Sequence, residues 1–216
     1  MSVLRLAWVE LASVRWCVLG GATGLWVWAV LASLQSAPGL GVPLVATSVE
    51  GLLVLLIATL PLAWHARRHE SSSLWTIARC RRPLQQVMAV TLALAAASMA
   101  LTGAASLAII TLGRNTETLG WLWLGALEFG APVCALAPSL GLPLRSRHAR
   151  SLVWIALVTT SLLAGSPIPS STLLILGSSG PTIALHRGID AVGGSLFATA
   201  AGLMLSWALT SVRLGR

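Results

Sequence analysis

The sequence predicts an all-α transmembrane protein with six transmembrane helices, a cytoplasmic N-terminal amphipathic helix and a re-entrant segment between helices five and six. Three observations lead there. Hydrophobic residues make up 56% of the 216 and charged residues only 9%, against about 25% charged in a soluble domain. Five apolar stretches reach the roughly 20 residues that a helix needs to cross a hydrocarbon core. The basic residues fall between those stretches, unevenly, rather than on one soluble face.

The elements follow in chain order. In residues 1–15, Leu4, Trp8 and Leu11 recur at helical spacing while Arg5, Glu10 and Ser13 fall elsewhere. That weak amphipathic pattern fits an interfacial elbow helix on the cytoplasmic face, or equally the start of the first span. No small-residue cleavage site follows its first apolar run, so it is expected to be retained. Spans are predicted near 16–35, 44–64, 85–112, 119–140 and 189–212. A shorter one, 151–165, ends at Ser166-Pro167-Ile168-Pro169. The apolar piece after it, 172–176, is too short to cross and runs into Gly177-Ser178-Ser179-Gly180-Pro181. Residues 166–185 therefore read as an external re-entrant segment. Between the first two spans, 36–43 is an uncharged turn rich in Gly and Pro, whereas 65–84 is the longest charged segment of the chain.

Charge placement tests this arrangement. With both termini in the cytoplasm of a bacterial inner membrane, Arg5, Arg15, Arg67, Arg68, Arg79, Arg81, Arg82, Arg145, Arg147, Arg150, Arg213 and Arg216 lie inside. Only Arg114 and Arg187 lie outside, a strong positive-inside bias. A five-span arrangement would place Arg213 and Arg216 on the wrong side. The net charge of +8 is thus explained by membrane orientation, and a nucleic-acid partner is not expected.

All 14 basic residues are arginine. Without lysine the chain has neither a Walker A loop nor a lysine Schiff base, so no cofactor is expected on it. Cys17, Cys80 and Cys134 lack CxxC spacing and read as packing residues. Glu128 lies about ten residues into the fourth span, near mid-bilayer. A carboxyl there is either a point on a translocation path or a group satisfied by neighbouring helices, and the two readings are balanced. Glu50, nearer the outer end of the second span, is a weaker candidate for the same path. Gly177-Ser178-Ser179-Gly180 matches the GxSG of intramembrane serine proteases, but no histidine follows His186 to act as base. His65 and His69 are spaced i, i+4, yet Arg67 and Arg68 oppose a cation there and no metal site is expected.

Small residues form two seams. Gly20 and Gly24 make a GxxxG in the first span, and Gly194, Ala198, Gly202 and Ser206 descend the last at four-residue steps. Trp8, Trp16, Trp64 and Trp75 cluster at the predicted cytoplasmic boundary and Trp121 and Trp123 at the outer one, as aromatic belts do.

One run points to a family. His69-Glu70-Ser71-Ser72-Ser73-Leu74-Trp75, followed by a basic patch, Pro83-Leu84 and a long apolar helix, resembles the first cytoplasmic loop of type-2 ABC exporter permeases. The order of parts agrees over nearly the whole chain: elbow helix, six spans, a re-entrant piece and a short basic tail. The resemblance implies that Glu70, Ser72, Ser73, Leu74 and Trp75 belong to a coupling helix docking on an ATPase and that Pro83 opens the third span. Ser72 departs from the pattern where glycine is common. The family further implies an ABC ATP-binding subunit carrying ATP and Mg, a second permease copy or paralogue, and a dimer contact that Gly20 and Gly24 would suit.

The expected function is that of an exporter permease subunit, not itself an enzyme, moving an amphipathic or hydrophobic substrate across the cytoplasmic membrane. Two other classes stay open: a non-transporting scaffold or intramembrane enzyme, and a proton-coupled carrier using Glu128. No internal repeat is visible, which weighs against an inverted-repeat carrier.

Overall fold

The computed structural model describes residues 2–35, 41–70, 83–111, 117–141 and 190–214. They form five helices: α1 (Val3–Gln35), α2 (Gly41–Glu70), α3 (Pro83–Thr111), α4 (Glu117–Leu136) and α5 (Asp190–Leu214). A 3-10 turn, Ala137–Gly141, continues α4. Among the described residues, four stretches are long and apolar enough to cross a membrane: Val3–Leu31, Pro83–Thr111, Leu122–Ser139 and Val192–Val212. α2 adds the shorter apolar stretch Gly51–Ala66. The protein is therefore an all-α bundle with several membrane-length helices. The expected fifth span, 151–165, and the re-entrant segment, 166–185, lie outside the described residues.

One alternative is resolved and one boundary differs from the sequence expectation. Of the two readings of residues 1–15, an elbow helix or the start of the first span, the structure agrees with the second, because α1 runs unbroken for 33 residues. No Gly or Pro interrupts Val3–Leu19, and Ala, Leu, Arg and Glu favour helix throughout. At the other site, α2 extends into the expected 65–84 loop as far as Glu70, carried by the helix-favouring Ala-Arg-Arg stretch.

Side-chain contacts fix the direction of each helix. Gly21 of α1 faces both Leu101 of α3 and Leu56 of α2. Leu6 and Ala7 pack with Ala89 near the start of α3, so α1 and α3 run parallel. Glu10 meets Trp64, so α1 and α2 run antiparallel. Gly130 lies against Ile57 and Ala137 against His65, so α2 and α4 run parallel. Ser195 bonds Glu128 and Ser206 bonds Ala135, so α4 and α5 also run parallel.

One end of the bundle thus collects the starts of α1 and α3 and the finishes of α2, α4 and α5. α4 finishes, and α5 starts, at opposite ends.

The core lies among α1, α2, α3 and α4, where Leu25, Leu53, Ile57, Leu94, Leu101 and Phe129 belong to one buried cluster. In the most apolar part of each span, more than half of the residues of α3 and of α4 are buried, against about a fifth in α1 and α5. α3 and α4 are the central helices, and α1 and α5 present broad apolar faces outward, as lipid-facing helices do.

Candidate functional site

Two places in the bundle bring together the residues that carry chemistry. The first is the end at which α2 finishes and α3 starts. Glu70 is the last residue of α2 and Pro83 the first of α3; proline is at home there, where the missing N–H would have no helical acceptor. Ser72, Ser73, Leu74 and Trp75 lie outside the described residues.

Three helices are tied at this end by polar contacts. The Trp64 indole N–H donates to Glu10 Oε2 at 2.7 Å, with both side chains buried. The His65 ring stands edge-on to Trp64, centroids 4.6 Å apart, and His65 Nε2 lies 3.3 Å from the Ala137 carbonyl. The α2 terminus that leads into 71–82 is thereby joined to α1 through Glu10 and to α4 through Ala137. A carboxylate accepting an indole N–H in a buried setting is a strong, directional contact.

The second place is the seam between α3, α4 and α5. Glu128 is 3% exposed and lies midway along α4. Four residues on, Pro132 has no N–H to return to the Glu128 carbonyl. Ser195 of α5 supplies the donor instead, at 2.7 Å. The pattern repeats where α4 tightens into its 3-10 turn: Ser206 donates to the Ala135 carbonyl at 2.7 Å, and Ser139 to Leu136 at 2.6 Å. Gly202 lies between these two α5 serines, and a Cβ there would come within 3.1 Å of Leu136 and 3.2 Å of Ala135.

On α3, Ser98, Thr102 and Ser106 form a buried line at four-residue steps. Each hydroxyl returns to its own helix, on Ala95, Ser98 and Thr102 respectively. The buried hydroxyls of the seam are therefore satisfied by helix carbonyls, the arrangement a bilayer interior demands.

The predicted residues are not all brought together. Glu128 is in the seam. The backbone of Glu50 lies near the start of α2, at the end opposite to Glu70. Gly20 and Gly24 face outward with nothing within 4 Å. The glycine that α1 uses for internal close approach is their neighbour Gly21, where a Cβ would meet Leu101 at 3.0 Å and Leu56 at 3.3 Å. Of the expected α5 seam, Ala198, Gly202 and Ser206 are buried and Gly194 is half-buried. Trp64 does not join a lipid-facing belt: it is 1% exposed, drawn inward by Glu10. Trp8 and Trp16 do face outward. Cys134 is buried as expected, and no metal-binding group of His, Cys, Asp or Glu occurs among the described residues.

The Glu10–Trp64 pair escaped the sequence reading, since a single carboxyl in the first turns of a helix looks like a solvated group. Its signal was the placement of Glu10 three and four residues from Leu6, Ala7 and Val14, on the apolar side of α1. No protein-family model matches the chain, and no curated protein sequence matches it.

Proposed function

We propose that this chain is the permease subunit of an ATP-driven exporter in a bacterial cytoplasmic membrane, driven by a separate ATP-binding subunit docking at the 71–82 connection. The observation that carries the reading is the polarity of the bundle. Arg5 and Arg15 lie on the first turns of α1, Arg67 and Arg68 on the last turns of α2 and Arg213 on the last turn of α5. All belong to the end from which 71–82 departs, with its Arg79, Arg81 and Arg82, and beyond which Arg145, Arg147 and Arg150 follow α4. In sequence, Arg114 comes three residues after the finish of α3 and Arg187 three before the start of α5, the helix ends at the opposite pole. By the positive-inside rule, the arginine-bearing end is cytoplasmic.

The opposite placement of the α4 finish and the α5 start supports one further crossing in the intervening segment, where the apolar stretch 151–165 stands. That makes six spans and puts both termini in the cytoplasm.

With no lysine for a Walker A loop, work on these helices has to be supplied by another chain or by an ion gradient. The 71–82 connection joins two long helices, one held to α1 and α4 by Trp64 and His65, so a push there is transmitted to the bundle rather than absorbed locally. The substrate class the reading favours is amphipathic or hydrophobic, passing at a dimer of such bundles to which the outward Gly20 and Gly24 of α1 contribute.

The test is co-purification in mild detergent followed by ATPase assay of the assembled complex. An ATP-hydrolysing subunit is expected to accompany the chain, and replacement of Glu70 or Leu74 is expected to lower its stimulated activity severalfold while the chain remains in the membrane. Unchanged coupling after replacement of the whole 71–82 segment would refute the reading. A second reading, a proton-coupled carrier, draws on the burial of Glu128 within the bundle. It predicts transport that survives ATP depletion and fails when the proton gradient is collapsed.

A further inference from the structure

We propose that the outward face of the first five turns of α1 is a binding site for the headgroup of an anionic phospholipid. The inference is independent of the transport reading. Leu4, Arg5, Trp8, Arg15, Trp16 and Leu19 are all exposed, and at 100° per residue they share one sector of the helix, opposite the buried Leu6, Glu10, Val14 and Gly21. Charge on that sector is of one sign. The only carboxylate in the first turns, Glu10, is turned inward and bonded to Trp64, so Arg5 and Arg15 face outward without a counter-charge from their own helix.

Arg15 is also pre-oriented. Its guanidinium lies over the Trp16 ring, 5.4 Å from the centroid, a cation–π arrangement that holds the planar fork while leaving its N–H groups available to a phosphate.

Length places the patch at the right depth. The apolar stretch Val3–Leu31 has 29 residues, about 43 Å of helix, whereas the hydrocarbon core is only about 30 Å thick. With residues 16–35 filling the core, Arg15 and Trp16 fall at its edge in the headgroup layer, where Trp is favoured and Arg meets phosphate, and Arg5, about 15 Å of helix farther out, reaches toward that layer with its long side chain. Inorganic phosphate would satisfy the arginines but has no use for the exposed Trp16 and Leu19 that continue the same sector into the core. A phospholipid supplies both the anion and the apolar body.

The experiment uses the full chain reconstituted in phosphatidylcholine nanodiscs with a trace of spin-labelled phosphatidylglycerol or spin-labelled phosphatidylcholine, and reads the motionally restricted fraction of each probe. The anionic probe is expected to be retained preferentially, with a preference that falls as salt is raised. Each arginine removed in Arg5→Gln and Arg15→Gln is expected to reduce it about fivefold. Arg15→Lys should keep part of the preference and Trp16→Leu should reduce it, because the first keeps charge without the fork and the second removes the platform. Both glutamine variants alter exposed residues, and Arg114→Gln, in the connection after α3, is the control expected to change nothing in this sector.

An unchanged preference in the Arg5→Gln, Arg15→Gln double variant overturns the proposal, as does equal retention of the two probes by the unaltered chain. Loss of the preference on adding millimolar inorganic phosphate would show a free-anion site instead and overturns the lipid assignment. Occlusion of the face by a co-purifying protein does so too. Should the double variant not fold, Arg15→Lys and Trp16→Leu decide by the same readout.

Discussion

Ser195 has one acceptor, the carbonyl that Pro132 leaves without a helical donor, and the two residues sit on different helices 63 positions apart in sequence. In water such a carbonyl would be hydrated; in the bundle interior it needs a protein donor. Replacing Ser195 by Ala is therefore expected to cost about 1 kcal/mol, in the range measured for interhelical hydrogen bonds in membranes. The Pro132→Ala variant restores an N–H to the same carbonyl. In a double-mutant cycle read by thermal unfolding in detergent, the Ser195→Ala penalty should shrink in the Pro132→Ala background. Equal penalties in both backgrounds would mean that Ser195 acts by packing alone. This coupling was half legible beforehand: a proline within an apolar helix signals an orphan carbonyl at i−4, but nothing in one sequence says which distant serine answers it. Glu10 and Trp64 pose the same difficulty. Each has an ordinary interfacial reading alone, and only their pairing across 54 positions turns both inward.

At the scale of the helix, α1 has two glycine faces with different duties. Gly21 is buried against Leu101 and Leu56, while Gly20 and Gly24, one position before and three after, meet nothing within 4 Å. Gly21→Leu is accordingly expected to overpack the contact with α2 and α3 and destabilise the chain by about 1–3 kcal/mol. Gly20→Leu should leave the stability of the single bundle unchanged and act only on assembly, if these glycines serve a dimer. The pair is checked by unfolding in detergent alongside the association state on size exclusion with light scattering. The GxxxG spacing was visible in the sequence, but periodicity cannot say which side of the helix faces its own chain. That is settled by the burial of Leu25 and Ala29 on the Gly21 side. The helix bounds are more legible, because apolar runs are bounded by recognisable breakers such as Pro83, which opens α3. The sequence leaves residues 1–15 open between an elbow and the start of the first span, and it hides the end of α2, because helix-forming polar residues carry a helix past the hydrocarbon edge without a change in local pattern.

For the whole molecule, the decisive relation is between direction and charge. The parallel course of α4 and α5, fixed by two serine hydrogen bonds, and the joining of α1, α2 and α4 through Glu10, Trp64, His65 and Ala137 bring the starts and finishes that adjoin twelve of the 14 arginines to one end. The sequence already carried that asymmetry as a count. What it lacked was the geometry tying the α2 terminus to its neighbours, on which the proposed docking of a partner at the 71–82 connection draws. Cys80 lies in that connection and serves as a native probe of which side it faces. With Cys17 and Cys134 replaced by Ser and Ala, a membrane-impermeant maleimide should fail to label Cys80 in intact cells and label it fully after permeabilisation, with an Asn115→Cys variant between α3 and α4 giving the reverse. Labelling of Cys80 from outside intact cells would place the arginine-bearing end beyond the reach of any cytoplasmic ATPase and contradict the account.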